Sequence, residues 1–460
     1  MRRAHGAVCV GAALLRVALG CGDSASNDAP DAGVIDAAYA DTSSDSSPPI
    51  DASAPTMPIK HVVVIVKENH TFDNYFGSYT GSGEQAQLTA ELHDGTIIKR
   101  PKCPTVGTTR DFPHDHASAV RAFNDGGMNG LDLNTNTVGS PADYQAWCYF
   151  DEQNQLDVYW QLARNYTLAD RFFTTTLAPS FPGHLASAIG QSPAIDNPGC
   201  PANQPTCTGA KSAWGCVDPP TLRVGTFDRD TCTPAASVFP CFDLKTWMDV
   251  MPAELDWRVY GSPRYTDDAG APVILSPFNA VKAHSTATER KAHFRSEADL
   301  IHDVADPNMP AVLFWSDVGK DSEHPPSSPC PGEQDDAAIV TALMNGPHWN
   351  DTALLITFDD WGGFYDRVAP AVERCNNGEF YNPGFRVPLL IISAYAKPGY
   401  VLHDVTEQAS LPRFIEEVLG LPFTTVRDPH ARDGKAGSLL GAFDFEGAPR
   451  PPVKPSLTCP

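Results

Sequence analysis

Basic side chains are scarce in this 460-residue chain, in which 33 Lys and Arg stand against 56 Asp and Glu. The resulting formal charge of −23 would repel nucleic acids, because proteins bind phosphate backbones largely through Lys and Arg. Charged residues are only 19% and hydrophobic residues 42% of the chain, which is typical of a globular protein and not of a disordered or coiled one. The composition therefore argues against nucleic acid as a partner and is compatible with a small substrate, or with a locally positive or metal-containing pocket.

The apolar run near the N-terminus is too short to cross a bilayer. It extends from Ala7 to Leu19, follows Met-Arg-Arg and precedes Gly20-Cys21, which is the order of a secretory signal. Small residues before Cys21 resemble a bacterial lipobox, in which the Cys is lipidated. Residues 1–21 are therefore predicted to be a signal peptide that directs export. Two outcomes stay open: an outer-membrane or cell-surface lipoprotein tethered through Cys21, or a secreted or periplasmic protein cleaved without a lipid.

Large apolar side chains are almost absent from residues 22–58, which consist mainly of Asp, Ala, Ser and Pro. Such a composition cannot bury enough surface to offset the entropy lost on ordering. We expect a disordered linker at 22–58 and one folded domain at 59–460.

The chain lacks paired C-x-x-C spacings in its cysteine-rich segment, which argues against a zinc site there. Ten cysteines follow the signal region: Cys103, Cys148, Cys200, Cys207, Cys216, Cys232, Cys241, Cys330, Cys375 and Cys459. An even number in an exported protein favours disulfides, although their connectivity stays open. Five of the ten lie between Cys200 and Cys241, which predicts a disulfide-rich insertion at about 195–245.

Four short apolar runs bounded by polar or turn residues are typical of strands buried on both faces. They are His61–Val66, Ala311–Trp315, Ala353–Phe358 and Val387–Ser393. Two other segments, Asp335–Met344 and Leu411–Leu419, follow the 3.6-residue period of a helix. Alternation of such strands with helices predicts an α/β fold with a mostly parallel central sheet and helices on both faces.

Oxygen-bearing side chains follow two of these predicted strands. Glu68 and Asn69 come after the first, and Asp359 and Asp360 come after the third. Ligands in parallel sheets gather at the carboxyl ends of the strands, and hard oxygen donors suit a divalent cation. Each pair could instead cap the turn that follows it, but the same chemistry at two strand ends favours a metal site.

Ser180 is predicted to be the N-cap of a helix that includes Leu185–Ile189 and ends at Gly190, with Pro182 in its first turn. A hydroxyl at that point lies where backbone N–H groups and the helix dipole favour phosphate. The alternative is a capping serine without chemistry.

Histidines in polar, proline-rich segments support catalysis, because an imidazole can bind a phosphate oxygen or protonate a leaving group. These histidines are His114, His116, His184 and His324.

Five ordered blocks carry a more specific resemblance. They are Glu68-Asn69-His70-Thr71-Phe72-Asp73, Asp111-Phe112-Pro113-His114 followed by Asn124 to Gly130, Ser180-Phe181-Pro182, Ser322-Glu323-His324-Pro325-Pro326 followed by Gly332-Glu333, and Asp359-Asp360-Trp361-Gly362-Gly363-Phe364-Tyr365-Asp366. Together they resemble the bacterial phosphoesterase family that contains phospholipases C and respiratory-burst-inhibiting acid phosphatases. The resemblance covers most of Ile59 to Leu421.

This resemblance implies an alkaline-phosphatase-like fold and hydrolysis of a phosphate ester or phospholipid through a phosphoserine on Ser180. It implies one divalent metal ion, of unknown identity, held by Glu68, Asn69, Asp359, Asp360 and Ser180. His114, His116 and His324 would be catalytic, and His184 and Asn124 would contact the substrate. A surface binding protein that keeps the fold without catalysis is the alternative.

The sequence departs from the family pattern at several positions near the expected site. Gly183-His184 stands where many members have Asn-Arg, and Asp360 replaces a frequent Glu. Trp361 and Gln408 each replace a frequent His. Asp for Glu keeps a carboxylate, so the expected metal ligands survive, whereas the other changes alter the charge around the phosphate.

Overall fold

A computed structural model describes residues 57–456, apart from 83–85, 87, 105–109, 135–143, 152–155, 202–211, 232, 320, 372 and 375–379. The predicted signal peptide, Cys21 and nearly all of the predicted linker lie outside the described residues. Within them, no helix is both long enough and apolar enough to cross a membrane.

An eight-stranded sheet forms the centre of the folded part. In chain order its strands are β1 (His61–Lys67), β2 (Thr167–Ala169), β3 (Trp257–Gly261), β4 (Phe294–Ser296), β5 (Val312–Ser316), β6 (Thr352–Phe358), β7 (Leu389–Ser393) and β8 (Tyr400–Leu402). Their spatial order is β4-β3-β5-β1-β6-β7-β2-β8. Seven strands point the same way, and β7 is antiparallel to both of its neighbours.

The four strands predicted from apolar runs are present within a residue or two of their expected ends. Every residue of β5, β6 and β7 is buried, as is β1 after His61, which explains why they lack the alternating pattern of a half-exposed strand. The mostly parallel α/β architecture is confirmed. The antiparallel direction of β7 was not predicted, because a continuous apolar run carries no information on strand direction.

Eight α-helices accompany the sheet within the described residues. They are α1 (Phe72–Tyr75), α2 (His116–Phe123), α3 (Asp157–Asn165), α4 (Ser180–Ile189), α5 (Ala287–His293), α6 (Leu300–Asp303), α7 (Pro329–Asn345) and α8 (Ser410–Leu419). The two predicted helices correspond to α7 and α8, and Gly420 ends α8 in the left-handed conformation with φ 66°. Helix α4 begins one residue earlier than expected, because the extended residue Pro179 is its N-cap and Ser180 is its first residue.

Smaller two-stranded pairs lie outside the central sheet. They are Thr89–Glu91 with Ile97–Lys99, Phe172–Phe173 with Thr406–Glu407, Val224–Asp228 with Thr233–Val238, Pro263–Thr266 with Pro272–Ile274, and Glu373–Arg374 with Phe380–Asn382.

Disulfides join Cys103 to Cys148 and Cys216 to Cys241, and Cys200 and Cys330 are also disulfide-bonded. All six cysteines of the described residues are therefore oxidised, which supports the disulfide prediction over a zinc site. The second of these bridges lies within the segment predicted as an insertion.

Candidate active site

Strand register brings the two predicted acidic strand ends together. Strand β1 pairs in parallel with β6, with Lys67 opposite Phe358, so the residues that follow both strands emerge at the same edge of the sheet. Glu68, Asn69, Asp359 and Asp360 are all at least 97% buried there.

Ser180 reaches this edge from the start of α4. Its Oγ lies 3.2 Å from Glu68 Oε2 and 3.2 Å from Asp360 Oδ2. Close packing of α4 on the strand end sets this approach, because a Cβ on Gly183 would lie 2.1 Å from the backbone oxygen of Asp359. A glycine at this position therefore allows the hydroxyl to meet the carboxylates.

Backbone N–H groups fix one oxygen of each aspartate and leave the other without a backbone hydrogen bond. Asp359 Oδ1 accepts from the N–H of Asn69 at 2.7 Å and from that of Asp360 at 2.6 Å. Asp360 Oδ1 accepts from the N–H of Gly362 at 2.6 Å. Asp359 Oδ2 is buried without a hydrogen-bond partner among the described residues. The free oxygens are thus the ones available to a cation.

Asn69 adopts a left-handed backbone conformation, with φ 67°. Gly362 packs against it so closely that a Cβ there would lie 2.1 Å from the Asn69 backbone oxygen. The side-chain Nδ2 of Asn69 lies 3.3 Å from His114 Nε2. The side-chain Oδ1 of Asn69 is buried with no hydrogen-bond partner in the described structure. Asn69 therefore connects the carboxylates to His114 and offers a further free oxygen.

Carboxyl groups crowd this site, and burial makes their ionisation costly. Burial raises the pKa of Glu68 to about 7 and the pKa of Asp359 to about 6. Burial, and then the nearby Asp359 carboxylate, hold the pKa of Asp360 well above its usual range. Three buried acids held this close would be stabilised as anions by a positive ion among them.

A cation fits the donor set. The ligand atoms of Glu68, His184 and Asp359 lie within 4.8 Å of one another, and all three residues are buried. The buried oxygens without partners on Asn69 and Asp359 belong to the same cluster. The residues predicted to hold a divalent ion are therefore brought together, and His184 lies among them.

His114 and His324 lie side by side next to this cluster, with ring centroids 6.0 Å apart. Their Nδ1 atoms lie 2.6 Å from the backbone oxygens of Phe112 and Pro325, so each Nδ1–H donates there. The Nε2 of His114 then accepts from Asn69 Nδ2 at 3.3 Å. Burial alone would lower the pKa of His324, but the Glu68 carboxylate raises it above its usual value. With Asp111, these histidines form a second group whose ligand atoms lie within 4.8 Å of one another.

His116 and Asn124 lie at the two ends of α2. His116 Nδ1 is 2.6 Å from the backbone oxygen of Leu177, in the segment that leads to Ser180. Asn124 ends the helix with φ 44°, and its side chain donates to Asn129 Oδ1 at 2.7 Å. None of its hydrogen bonds within the described residues reaches the Ser180 cluster. Its substrate contact stays a prediction.

The start of α4 offers fewer backbone donors than expected from the sequence. The N–H of Phe181 already donates to Asn197 Oδ1 at 2.7 Å, and Pro182 has no N–H. An anion at Ser180 would therefore depend on side chains, or on a bound ion, more than on the helix terminus.

Several residues near the site were not identified from the sequence. Lys67 is completely buried and forms ion pairs with Asp317 and Glu323. Trp214, from the predicted insertion, places its ring 5.1 Å from that of His184. Glu323 lies in one of the blocks that carry the family resemblance, but nothing local to Lys67 or Trp214 indicated their contacts.

The Trp361 and Gln408 departures have structural roles. The indole of Trp361 donates to the backbone oxygen of His114 at 3.2 Å. Gln408 Nε2 donates to the backbone oxygen of Asp359 at 2.5 Å. Both side chains therefore hold the backbone of site residues.

Comparison with known proteins gives consistent relatives. Non-hemolytic phospholipase C of Pseudomonas aeruginosa is 25% identical over 440 residues, which is 84% of this chain and 57% of that protein. Phospholipase C A of Mycobacterium tuberculosis is 24% identical over 454 residues, covering 87% and 80% of the two chains. This chain thus spans somewhat more than half of the Pseudomonas relative.

Solved structures give a weaker likeness. An alkaline phosphatase superfamily protein from Vibrio parahaemolyticus has a TM-score of 0.35 at 10% identity, covering 80% of this chain and 67% of that one. The model of the phosphoesterase family matches residues 59–422. The chain belongs to the phosphoesterase family.

Proposed function

We propose that this protein is a metal-dependent phosphoric ester hydrolase, of the phospholipase C or acid phosphatase type, in which Ser180 is the nucleophile. The observation that carries the proposal is the position of the Ser180 hydroxyl, 3.2 Å from two buried carboxylates at the start of a helix. The names of the phospholipase C relatives support a phospholipid or another phosphate ester as substrate.

One divalent ion held by Glu68, Asn69, Asp359, Asp360 and Ser180 would supply positive charge to the nucleophile and to the phosphoryl oxygens. The protein itself orients the hydroxyl, because α4 and the two carboxylates fix its position. Ser180 is only 4% exposed, so its hydroxyl has little contact with bulk water.

In the first displacement, Ser180 Oγ bonds to phosphorus as the bond to the leaving oxygen breaks. The hydroxyl proton moves toward Glu68 or Asp360. His324 or His114, with its imidazole protonated at both ring nitrogens, donates a proton from Nε2 to the leaving oxygen. The Nδ1–H of His116 donates to the backbone oxygen of Leu177, in the segment that leads to the nucleophile. In the second displacement, water gives a proton to the imidazole that protonated the leaving oxygen and attacks phosphorus as the phosphoserine bond breaks. The phosphate product leaves, and Glu68 or Asp360 returns the proton to Ser180 Oγ.

Export is part of the same proposal. Disulfides are typical of proteins in oxidising compartments, which agrees with a signal peptide at residues 1–21. A lipid on Cys21 would tether the folded domain to a membrane surface through the linker.

A substrate panel tests the proposal. Purified protein is assayed on phosphatidylcholine, p-nitrophenyl phosphate and p-nitrophenyl sulfate, with and without a chelator. We expect hydrolysis of a phosphate ester that the chelator abolishes and added metal restores. Lack of turnover of any phosphate ester by the metal-loaded protein would favour the alternative of a non-catalytic binding protein.

A further inference from the structure

His184 lies one helical turn after Ser180 on α4, so both side chains project from the same face of the helix. Its side chain is completely buried. The Nε2 atom lies 3.3 Å from Glu68 Oε1 and 3.5 Å from Asp359 Oδ2. Many family members have Arg where this sequence has His184, so the residue departs from the common family pattern.

We infer that His184 Nε2 is a nitrogen ligand of the metal ion, and not a contact to the substrate. This inference rests on the proposed function, because it concerns the ion of that site. It makes the centre a mixed nitrogen and oxygen site, with an imidazole added to the carboxylates and the serine hydroxyl.

The distances favour shared coordination over direct hydrogen bonds. A charge-assisted N–H···O bond between an imidazolium and a carboxylate is usually about 2.7–2.9 Å long. Both contacts of His184 are clearly longer than that. By contrast, two atoms that each bind one ion at about 2.0–2.2 Å lie at most about 4.4 Å apart, and both separations of Nε2 from the carboxylates fall within this limit.

The lack of a hydrogen-bond donor for one site oxygen supports the same assignment. Asp359 Oδ2, the oxygen nearest His184, has no hydrogen-bond partner within the described residues although it is buried. A buried carboxylate oxygen without a donor is costly unless a cation satisfies it. An ion between Asp359 Oδ2, Glu68 and His184 Nε2 would satisfy all three.

Packing orients the imidazole from the other side. Trp214 lies 5.1 Å from the His184 ring and 5.8 Å from that of Phe181, between centroids. Asp218 anchors this segment by accepting from the N–H of Ala213 at 2.5 Å. His184 Nδ1 has no hydrogen-bond partner in the described part of the chain, so aromatic packing, and not a hydrogen bond, sets the ring orientation.

A nitrogen ligand changes which ion the site prefers. Ca²⁺ and Mg²⁺ favour all-oxygen sites, whereas imidazole suits Zn²⁺, Fe²⁺ and related transition metals. The metal ion of this protein is therefore a transition-metal ion of that class.

X-ray absorption of the zinc-loaded full chain tests the inference. We expect imidazole scattering in the wild type, its loss in His184→Gln and its retention in the matched control His324→Gln. We also expect His184→Gln to weaken Zn²⁺ binding by about 100-fold and Ca²⁺ binding by less than about tenfold, measured by competition with a chelator.

The results separate the two proposals. Bound zinc with only oxygen ligands in the wild type, or imidazole scattering that persists in His184→Gln, would overturn the His184 inference and leave the proposed function in place. A wild-type protein that binds no divalent metal would overturn both. Thermal melting of each metal-free variant shows whether a changed metal affinity reflects a changed fold.

Discussion

Lys67 and Glu68 are consecutive residues at the end of β1, yet they belong to two different buried clusters. Successive side chains of an extended segment point to opposite sides, which separates the two. The Lys67 cluster consists of Lys67, Asp317, Glu323, Asp336 and Tyr159. The Glu68 cluster consists of Glu68, Ser180, His184, Asp359 and Asp360.

The Lys67 cluster contains its own permanent cation. Lys67 Nζ lies 2.8 Å from Asp317, 3.4 Å from Glu323 and 3.6 Å from Asp336. Burial alone would lower the pKa of Lys67, but these three carboxylates hold it well above its usual range. Tyr159 contacts both Glu323 and Asp336 through its hydroxyl. Because one hydroxyl has one proton, one of those two carboxyls keeps a proton of its own.

The Glu68 cluster has a similar number of acids and no lysine or arginine in its described contacts. Its nearest basic group is His184, whose pKa is lowered by burial despite the neighbouring Asp359. The two clusters are similarly buried, but only the Lys67 cluster contains a lysine to balance its carboxylates. We expect the Lys67 cluster to contribute to stability without any added ion, whereas the proposed cation would complete the Glu68 cluster.

Ser180→Ala should show the largest effect, on activity alone. Removing a covalent nucleophile is expected to lower kcat by about 10⁴-fold or more, because no neighbouring group can replace the oxygen that bonds to phosphorus. Initial rates on the best substrate, with a thermal melt of the same sample, measure it. Wild-type turnover in this variant would show that Ser180 is only part of the helix start.

Lys67→Met should lower the stability of the protein, in contrast to Ser180→Ala, which should affect activity alone. Removing one partner of a buried ion pair typically costs about 3–5 kcal/mol, since the remaining carboxylates are left without a counter-charge. Urea unfolding of the metal-free protein gives the free energy of unfolding. Lys60→Met, at an exposed ion pair with Asp351, is the matched control, for which we expect about 0–1 kcal/mol. Equal effects of the two substitutions would contradict the assignment of stability to the Lys67 cluster.

The sequence predicted the Glu68 cluster far better than the Lys67 cluster. Hard oxygen donors at the ends of two apolar strands are visible as a pattern, and parallel pairing must bring them to one edge. Lys67 looks like an ordinary strand terminus, because the partners that bury it come from residues about 250 positions later. Long-range burial of this kind has no local signal.

Prediction of the strands from the sequence was limited in the same way. Strands β1, β5, β6 and β7 were predicted because each has a long apolar run, whereas β2 and β4 have only three residues each and rely on neighbours for their extended form. Similarly, the sequence suggested His184 as a substrate contact, since nothing in the chain order shows that α4 presents it to Glu68 and Asp359.

Asp360→Asn should separate stability from metal binding within the Glu68 cluster. In chelator we expect the variant to be more stable than the wild type by about 1 kcal/mol, because one of several crowded buried acids becomes neutral while Oδ1 still accepts from Gly362. With metal present, the order of stability should reverse, since a ligand that binds only the folded state adds stability. Thermal melts with and without metal measure both, and a variant less stable than wild type in chelator would contradict the contrast between the clusters.

Glu416→Gln should have the smallest effect and extends the comparison to a buried acid with neither a lysine nor a proposed metal. Glu416 Oε1 accepts from the N–H of Thr424 at 2.9 Å and from its hydroxyl at 2.7 Å. Burial, and then the Asp433 carboxylate, raise the pKa of Glu416 to about 8. The folded state therefore holds this proton more tightly than the unfolded state.

The sign of the pH dependence follows from that difference. Between the unfolded pKa of about 4.3 and the folded pKa of about 8, the folded state binds more protons at this carboxyl, so its contribution to stability is present at low pH and lost as pH rises. Gln keeps the acceptor and cannot ionise. We expect the variant to lie within about 0.5 kcal/mol of the wild type near pH 5 and to become relatively more stable toward pH 8. Urea unfolding at both pH values, with exposed Glu446→Gln as control, measures this change. If the difference between Glu416→Gln and the wild type is the same at both pH values, Glu416 is ionised throughout, and a buried acid in this fold needs no cation nearby.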